Sequence, residues 1–133
     1  MILVDSSVWV DYFRGSSTAQ TGLLVSLLGS QELAIGDLNF TEVLQGCKVN
    51  RDFNEVRRLL GRLELIPLSG ADVVVEAANN YRRLRSLGLT IRGTIDVVLA
   101  TRCIVSGHRL LHSDRDFDAF EKHLGLRCVF SEA

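Results

Sequence analysis

The sequence predicts an α/β protein in which a parallel sheet of about five strands is covered by helices on both faces. Short apolar runs alternate along the chain with longer helical stretches, and strands that alternate with helices form parallel crossover units. The 133 residues are 47% hydrophobic and include one proline, which fits one compact domain with a substantial core. We therefore expect residues 1–133 to form a single domain.

The predicted strands are short apolar runs bounded by turn residues. The first of them, ILVD, has no polar alternation and is typical of a strand that is buried on both faces. The third contains Pro67, which lacks a backbone N–H and therefore favours a sheet edge or a strand end. In chain order, the predicted strands cover residues 2–5, 32–36, 64–68, 109–112 and 126–130.

The predicted helices carry apolar residues at helical spacing, and most of them end at a glycine. In the fourth helix, Val56, Leu59, Leu60 and Leu63 recur at i, i+3, i+4 and i+7. The sixth helix is apolar nearly all round, which predicts a central helix buried on several sides. In chain order, the predicted helices cover residues 7–14, 18–28, 38–47, 52–63, 70–87, 95–106 and 115–124.

Charge, cysteine content and hydropathy argue against a generally basic nucleic-acid binder, a zinc protein and a membrane or secreted protein. The formal net charge is −1, so any contact with nucleic acid must be local rather than spread over a basic surface. The three cysteines have no CxxC spacing and suit reduced thiols rather than a zinc site. No apolar stretch approaches the roughly 20 residues that span a bilayer, and no signal peptide is recognisable. We expect a soluble, cytoplasmic protein with no membrane contact.

Acidic residues stand where predicted elements begin or end. Asp5 closes the first strand, Asp114 follows the fourth, Asp96 opens the sixth helix, and Glu42 lies within the third. Asp116 comes two residues after Asp114. In open α/β sheets, ligands bind outside the carboxyl ends of the strands, so these acids can line one rim of the sheet.

Converging carboxylates favour a metal site. Two unit charges ~4 Å apart repel by roughly 4 kcal/mol at a partly screened protein site, so several acids together need a compensating cation. Mg²⁺ and Mn²⁺ prefer carboxylate and water oxygens and leave positions open for substrate. The pattern therefore predicts a metal-dependent nuclease.

Each acid also has a structural interpretation. Asp5 can cap the helix that follows it, and Glu42 lies off the apolar stripe of its helix, as a solvated glutamate would. Asp96 follows Thr94, a candidate N-cap, and is favoured there by the helix dipole. Ser113 and Asp116 have capping-box spacing, which explains Asp116 without a metal. Asp114 has no such alternative.

Two other enzyme classes fit the sequence poorly. A haloacid-dehalogenase-type phosphatase needs a second Asp two residues after the first, where this chain has Ser7. A response-regulator receiver needs paired early acids and a late lysine after a strand, but the only lysines are Lys48 and Lys122. The remaining alternative is a non-catalytic module that binds protein or RNA.

Four segments together resemble the PIN-domain family and, within it, the VapC-like toxins of bacterial toxin–antitoxin pairs. They are ILVDSSVWVDYFRG, TEVLQG, RGTIDVVLAT and LLHSDRDFDAFEKHLGLR, in the order and spacing of that family. The resemblance spans essentially the whole chain. It implies a three-layer α/β/α fold with a five-stranded parallel sheet.

The resemblance also implies an activity and a set of site residues. The family comprises Mg²⁺- or Mn²⁺-dependent endoribonucleases, usually homodimers, which a cognate VapB-like antitoxin inhibits. The matching catalytic acids are Asp5, Glu42, Asp96 and Asp114; the matching metal ligands are Asp5, Asp96, Asp114 and the auxiliary acid Asp116. Ser6 would help to hold water or metal.

Contacts with the RNA substrate are expected from two arginines beside the acids. Arg92 precedes Asp96, and Arg115 follows Asp114; surface solvation is the alternative for both. The chain departs from the family at His112, where a Thr is common before the fourth acid. That difference puts in doubt the role of a hydroxyl at this position.

Overall fold

The computed structural model describes residues 1–129, in which a five-stranded parallel sheet lies between helices. The strand order is β3-β2-β1-β4-β5, and every neighbouring pair is parallel. The strands are β1 (Ile2–Val4), β2 (Leu33–Gly36), β3 (Glu64–Ile66), β4 (Arg109–Leu111) and β5 (Arg127–Cys128). The helices are α1 (Ser6–Phe13), α2 (Ala19–Leu27), α3 (Asp37–Gln45), α4 (Asn50–Leu60), α5 (Ala71–Ser86), α6 (Thr94–Ser106) and α7 (Asp116–Leu124).

Two separate apolar cores cover the two faces of the sheet. Successive side chains of a strand point to opposite faces, so Leu3 and Leu110 join the core under α5, α6 and α7, whereas Val4 and Leu111 join the core under α1 to α4. The predicted three-layer α/β/α fold is thus confirmed. No helix within residues 1–129 has both the length and the apolar character needed to cross a membrane.

All predicted strands and helices are present, and the differences are at their ends. Asp5, predicted as the last strand residue, is the N-cap of α1. β3 ends at Ile66 because Pro67 has no N–H to continue the ladder, and β3 is an edge strand, as Pro67 predicts.

α4 ends at Leu60, so Leu63 reaches the core from the turn that follows. The last predicted strand is observed at Arg127–Cys128, and its residue 130 lies outside the described residues.

α6 is the central helix that its apolar sequence predicts. It packs against α5, α7 and β4, and its buried residues include Leu99, Ala100 and Cys103. Its N-terminal end is therefore held in place from several sides. This packing positions Asp96, in the first turn of α6.

One arginine ties α6 to the start of α5. The Arg102 guanidinium donates to the carbonyl oxygens of Leu68 (3.0 Å) and Ser69 (2.9 Å) and to both carboxylate oxygens of Asp72 (2.8 and 3.0 Å). A guanidinium can do this because its donors form a planar fork, whereas a lysine ammonium is a point charge. The contact fixes the loop between β3 and α5.

We expect Arg102→Lys to lower the Tm by about 3–5 °C, because lysine cannot replace the forked contact in a domain of this size. The matched control is Arg58→Lys, since Arg58 pairs with Glu55 on the exposed surface, where ion pairs contribute little. Thermal unfolding followed by circular dichroism measures both. Equal Tm values for the two variants would contradict this role of Arg102.

Candidate active site

The candidate site lies at the point where the strand order of the sheet reverses, beside the central strand β1. β1 is followed by β2 and β3 on one side, whereas β4 and β5 lie on the other. Such a reversal opens a crevice at the carboxyl ends of the central strands. Asp5 follows β1 directly, and Asp114 comes three residues after the end of β4. The topology therefore brings these two acids to one rim.

Three carboxylates meet at this rim. Asp96, Asp114 and Asp116 each offer an oxygen atom that lies within 4.8 Å of those of the other two. α6 carries Asp96 in its first turn, and α7 begins with Asp116. Their side chains are half-buried. Distant parts of the chain thus form one acidic cluster.

Asp5 lies beside this cluster and is almost completely buried, with 4% of its surface exposed. Its Oδ2 accepts hydrogen bonds from the backbone N–H of Ser7 (3.3 Å) and from the Ser7 hydroxyl (2.5 Å). Burial raises the pKa of Asp5, and the nearby charge of Asp114 adds to that effect. Asp5 therefore caps α1, as its structural interpretation predicts, and also faces the acidic cluster.

Glu42 completes the set from α3. Its Oε1 accepts a hydrogen bond from the Ser6 hydroxyl (2.8 Å) and one from the Asn39 side-chain amide (3.4 Å). The interpretation of Glu42 as a free, solvated glutamate is therefore wrong, because α3 turns this side chain toward β1 and α1.

The pKa of Asp96 shows that all five acids share one electrostatic environment. Partial burial raises it to about 7, together with the negative charges of Asp5, Asp114, Glu42 and Asp116, in that order. Both desolvation and like charges disfavour the ionised form. The site thus has an excess of negative charge that nothing among these five side chains offsets.

Two expected caps are not formed. The N-cap of α6 is Gly93 rather than Thr94. Ser113 and Asp116 do not form a capping box: α7 begins after Arg115, with no side-chain cap. The Asp116 N–H donates instead to Asp114 Oδ1 (2.9 Å), and the Ser113 hydroxyl lies 3.1 Å from that of Ser7.

The two arginines line different cavities. Arg92 is exposed at a cavity of about 470 Å³ between α5 and α6. Arg115 is exposed at a cavity of about 230 Å³ that also includes Asp114 and His112. His112 Nδ1 accepts the Asp114 N–H (3.2 Å), so the residue that differs from the family pattern contacts the backbone of an acid.

Three polar residues of the site were not predicted as such from the sequence. The Ser7 hydroxyl, in the first turn of α1, lies within hydrogen-bond distance of the Ser113 hydroxyl, in the loop after β4. Asn39 donates to Ser6 Oγ (2.9 Å). A signal for Asn39 is present, because it stands four residues before Val43 on the buried face of α3. A polar side chain on an apolar stripe indicates a specific partner.

The cluster fits a hard divalent cation. The ion pairs formed within residues 1–129, Arg58 with Glu55 and Arg102 with Asp72, lie away from these acids. Three carboxylate oxygens that lie within 4.8 Å of one another can contact one ion between them, and carboxylate oxygens are ligands that Mg²⁺ and Mn²⁺ prefer. A bound cation would also relieve the repulsion that raises the pKa of Asp96.

Comparison with known proteins agrees with the geometry. A model of the PIN domain family matches residues 2–123. Ribonuclease VapC11 of Mycobacterium tuberculosis is 30% identical over 131 residues, which are 97% of this chain and 98% of that protein.

Solved structures share the fold at lower identity. The VapBC2 crystal structure from Rickettsia felis, bound to a promoter DNA fragment, has a TM-score of 0.75 and 20% identity, covering 97% of this chain and 98% of that one. A toxin–antitoxin complex from Klebsiella pneumoniae has a TM-score of 0.71 and 16% identity, with 98% of each chain covered. From the family match, the sequence relatives and the fold together, we conclude that this chain belongs to the PIN domain family, with VapC ribonucleases among its relatives.

Proposed function

We propose that this protein is a metal-dependent endoribonuclease and the toxin of a VapBC-type toxin–antitoxin pair, which cleaves RNA phosphodiester bonds and so inhibits translation or growth. The observation that carries the proposal is the acidic cluster at the carboxyl ends of β1 and β4. It occurs in a chain that matches ribonucleases named VapC over nearly its full length.

The acids of the site have two tasks in this proposal: the aspartates bind the metal ion, and Glu42 orients water. Asp96, Asp114 and Asp116 would hold Mg²⁺ or Mn²⁺, with Asp5 as the fourth carboxylate beside them. When bound, such an ion lowers the pKa of a water ligand and offsets charge on the scissile phosphate. Backbone N–H groups and the Ser7 hydroxyl orient Asp5 and Asp114 for this role.

Glu42 has a different task in this proposal. It stands outside the group of three, and Ser6 holds one of its oxygens. The other oxygen remains able to accept a hydrogen bond from the attacking water and to orient it. Arg92 and Arg115 would contact the phosphates of the RNA, for which the guanidinium fork is suited.

The proposed partners follow from the fold neighbours and from the negative charge of the site. The fold neighbours include toxin–antitoxin and VapBC complexes, so we propose a VapB-like antitoxin, a homodimer of this chain, and action on RNA in the cytoplasm. A cationic antitoxin side chain placed among these acids would offset their charge much as a metal ion does.

Cleavage of RNA should require both the metal and the acidic cluster. We expect cleavage with Mg²⁺ or Mn²⁺ and none in EDTA. We also expect a fall of at least about 10²-fold in kcat for Asp96→Asn, because the variant removes a charged ligand of the ion. The matched control is Asp52→Asn, an exposed acid on α4 that we expect to leave cleavage unchanged.

Gel analysis of a labelled RNA measures these rates. Cleavage that persists in EDTA would contradict the metal requirement. A wild-type protein that binds RNA but never cleaves it would favour the non-catalytic binding module.

When metal is removed with EDTA, repulsion among the acids should make stability fall as the pH rises. An aspartate in an unfolded chain has a pKa near 3.9, and Asp96 in the folded protein has one of about 7. Between these values the folded state binds more protons, so its free energy of unfolding falls as pH rises through 7. We expect Asp96→Asn to remove this loss.

In EDTA, the Tm of Asp96→Asn should therefore exceed that of the wild type by a few degrees at pH 8 and by less at pH 5. Added Mn²⁺ should raise the wild-type Tm at pH 8 more than that of the variant, since ligand binding stabilises the folded state. Differential scanning calorimetry provides the measurement. A Tm difference that is the same at both pH values would refute the electrostatic argument.

A cognate VapB-like antitoxin should suppress the cleavage, and its removal should restore it. The physical reason is the competition of a cationic partner with metal for the same carboxylates. The rate of RNA cleavage before and after the partner is removed by partial denaturation and refolding tests this. Rates that are equal with and without the partner would exclude inhibition by the antitoxin.

A further inference from the structure

Asn39 is a fully buried amide in the first turn of α3, with 0% of its surface exposed. We propose that Asn39 is a positioning residue, which acts through Ser6 to hold the Glu42 carboxylate in the orientation that the reaction needs. This inference rests on the proposed endoribonuclease activity and adds a residue to it.

The hydrogen bonds among Asn39, Ser6 and Glu42 have a defined order of donors and acceptors, in which Asn39 donates and Glu42 accepts. The single Ser6 hydroxyl hydrogen is donated to Glu42 Oε1 (2.8 Å), so Ser6 Oγ can only accept from Asn39 Nδ2 (2.9 Å). The same Asn39 nitrogen lies 3.4 Å from Glu42 Oε1. Because the amide nitrogen carries two hydrogens, Asn39 can donate one to Ser6 and one to Glu42.

The opposite orientation of the amide is unfavourable. It would place Asn39 Oδ1 3.4 Å from the carboxylate oxygen of Glu42, where two acceptors repel, and would remove the donor from Ser6. Glu42 and Ser6 thus select one orientation of Asn39. The Asn39 amide in turn restricts the orientation of the Glu42 carboxylate, because Glu42 Oε1 must accept from both Ser6 and Asn39.

Asn39 occupies a position on the buried face of α3 where packing alone would favour an apolar side chain. Its Oδ1 is buried and accepts no hydrogen bond within residues 1–129. A buried polar atom without a partner lowers stability. An apolar side chain of similar size would avoid this cost next to Val43, which is also buried on α3.

The backbone leaves room for this amide. A Cβ atom on Gly36 would lie 2.7 Å from Asn39 Oδ1 and 2.7 Å from a Leu68 methyl group, closer than real Cβ contacts occur. Leu68 is itself completely buried, so it has little freedom to move away. Gly36, the last residue of β2, therefore leaves the space that the Asn39 side chain of α3 occupies.

The test compares Asn39→Leu with the wild type in RNA cleavage and in thermal unfolding. We expect kcat to fall about 10–100-fold, as is typical when a residue that orients a functional group is lost, with KM unchanged. The Tm should change by only a few degrees, because Leu keeps this buried position filled while it removes both the buried oxygen and the two donated hydrogen bonds. Asn39→Ala, which cannot clash with Gly36 or Leu68, should show the same loss of kcat.

Two further variants separate positioning from packing. Ser6→Ala should lower kcat by a similar factor, and the double variant Asn39→Leu/Ser6→Ala should lose no more than the larger single loss, because both act on one contact. Asn80→Leu is the matched control: Asn80 donates to Thr101 Oγ1 (3.0 Å) in the α5–α6 contact, away from the acids. It should leave kcat unchanged.

A measurement without RNA makes the inference independent of the cleavage assay. The carboxyl ¹³Cδ resonance of Glu42 should shift in Asn39→Leu and in Ser6→Ala but not in Asn80→Leu. An unchanged kcat or an unchanged Glu42 resonance in Asn39→Leu would overturn the role of Asn39, as would a loss of kcat that merely follows a lowered Tm. The proposed activity fails separately, if the wild type cleaves no RNA with Mg²⁺ or Mn²⁺.

Discussion

Mutual repulsion among five carboxyl groups is the constraint on which the rest of this structure depends. Desolvation and four neighbouring negative charges raise the pKa of Asp96 to about 7. The fold tolerates this because two apolar cores, one on each face of the sheet, hold the elements that carry the acids. The stability of the scaffold thus maintains a site that would otherwise spread apart.

Short polar contacts then orient each acid within that scaffold. Backbone and hydroxyl donors of Ser7 fix Asp5, the N–H of Asp116 fixes Asp114, and Ser6 fixes Glu42. Each of these contacts is made to one carboxylate oxygen: Asp5 Oδ2, Asp114 Oδ1 and Glu42 Oε1. Orientation of this kind is what a metal ligand or a water-orienting group requires.

The fold and the acids were readable from the sequence because their signals are local. Apolar runs and helical spacing predict every strand and helix of residues 1–129. Asp5 stands directly after β1, and Asp114 stands three residues after β4. The supporting contacts were not readable, because they join residues far apart in the chain: Ser7 meets Ser113 across 106 positions, and Asn39 meets Ser6 across 33. The capping box expected at Ser113 is absent because the Asp116 N–H donates to Asp114, two residues earlier, while the Ser113 hydroxyl lies beside that of Ser7. The cap expected at Thr94 is absent because α6 begins one residue earlier than predicted, with Gly93 as its N-cap.

The central place of β1 has a consequence for synthesis of the chain. β1 is synthesised before the other four strands of this sheet. It pairs on one side with β4, and two of the clustered acids come still later, at positions 114 and 116. Non-local parallel pairing cannot form before its second partner exists. A nascent or truncated chain that stops before residue 109 therefore lacks part of its central sheet and two of the three clustered acids, so the finished site cannot form before residue 116 has been synthesised.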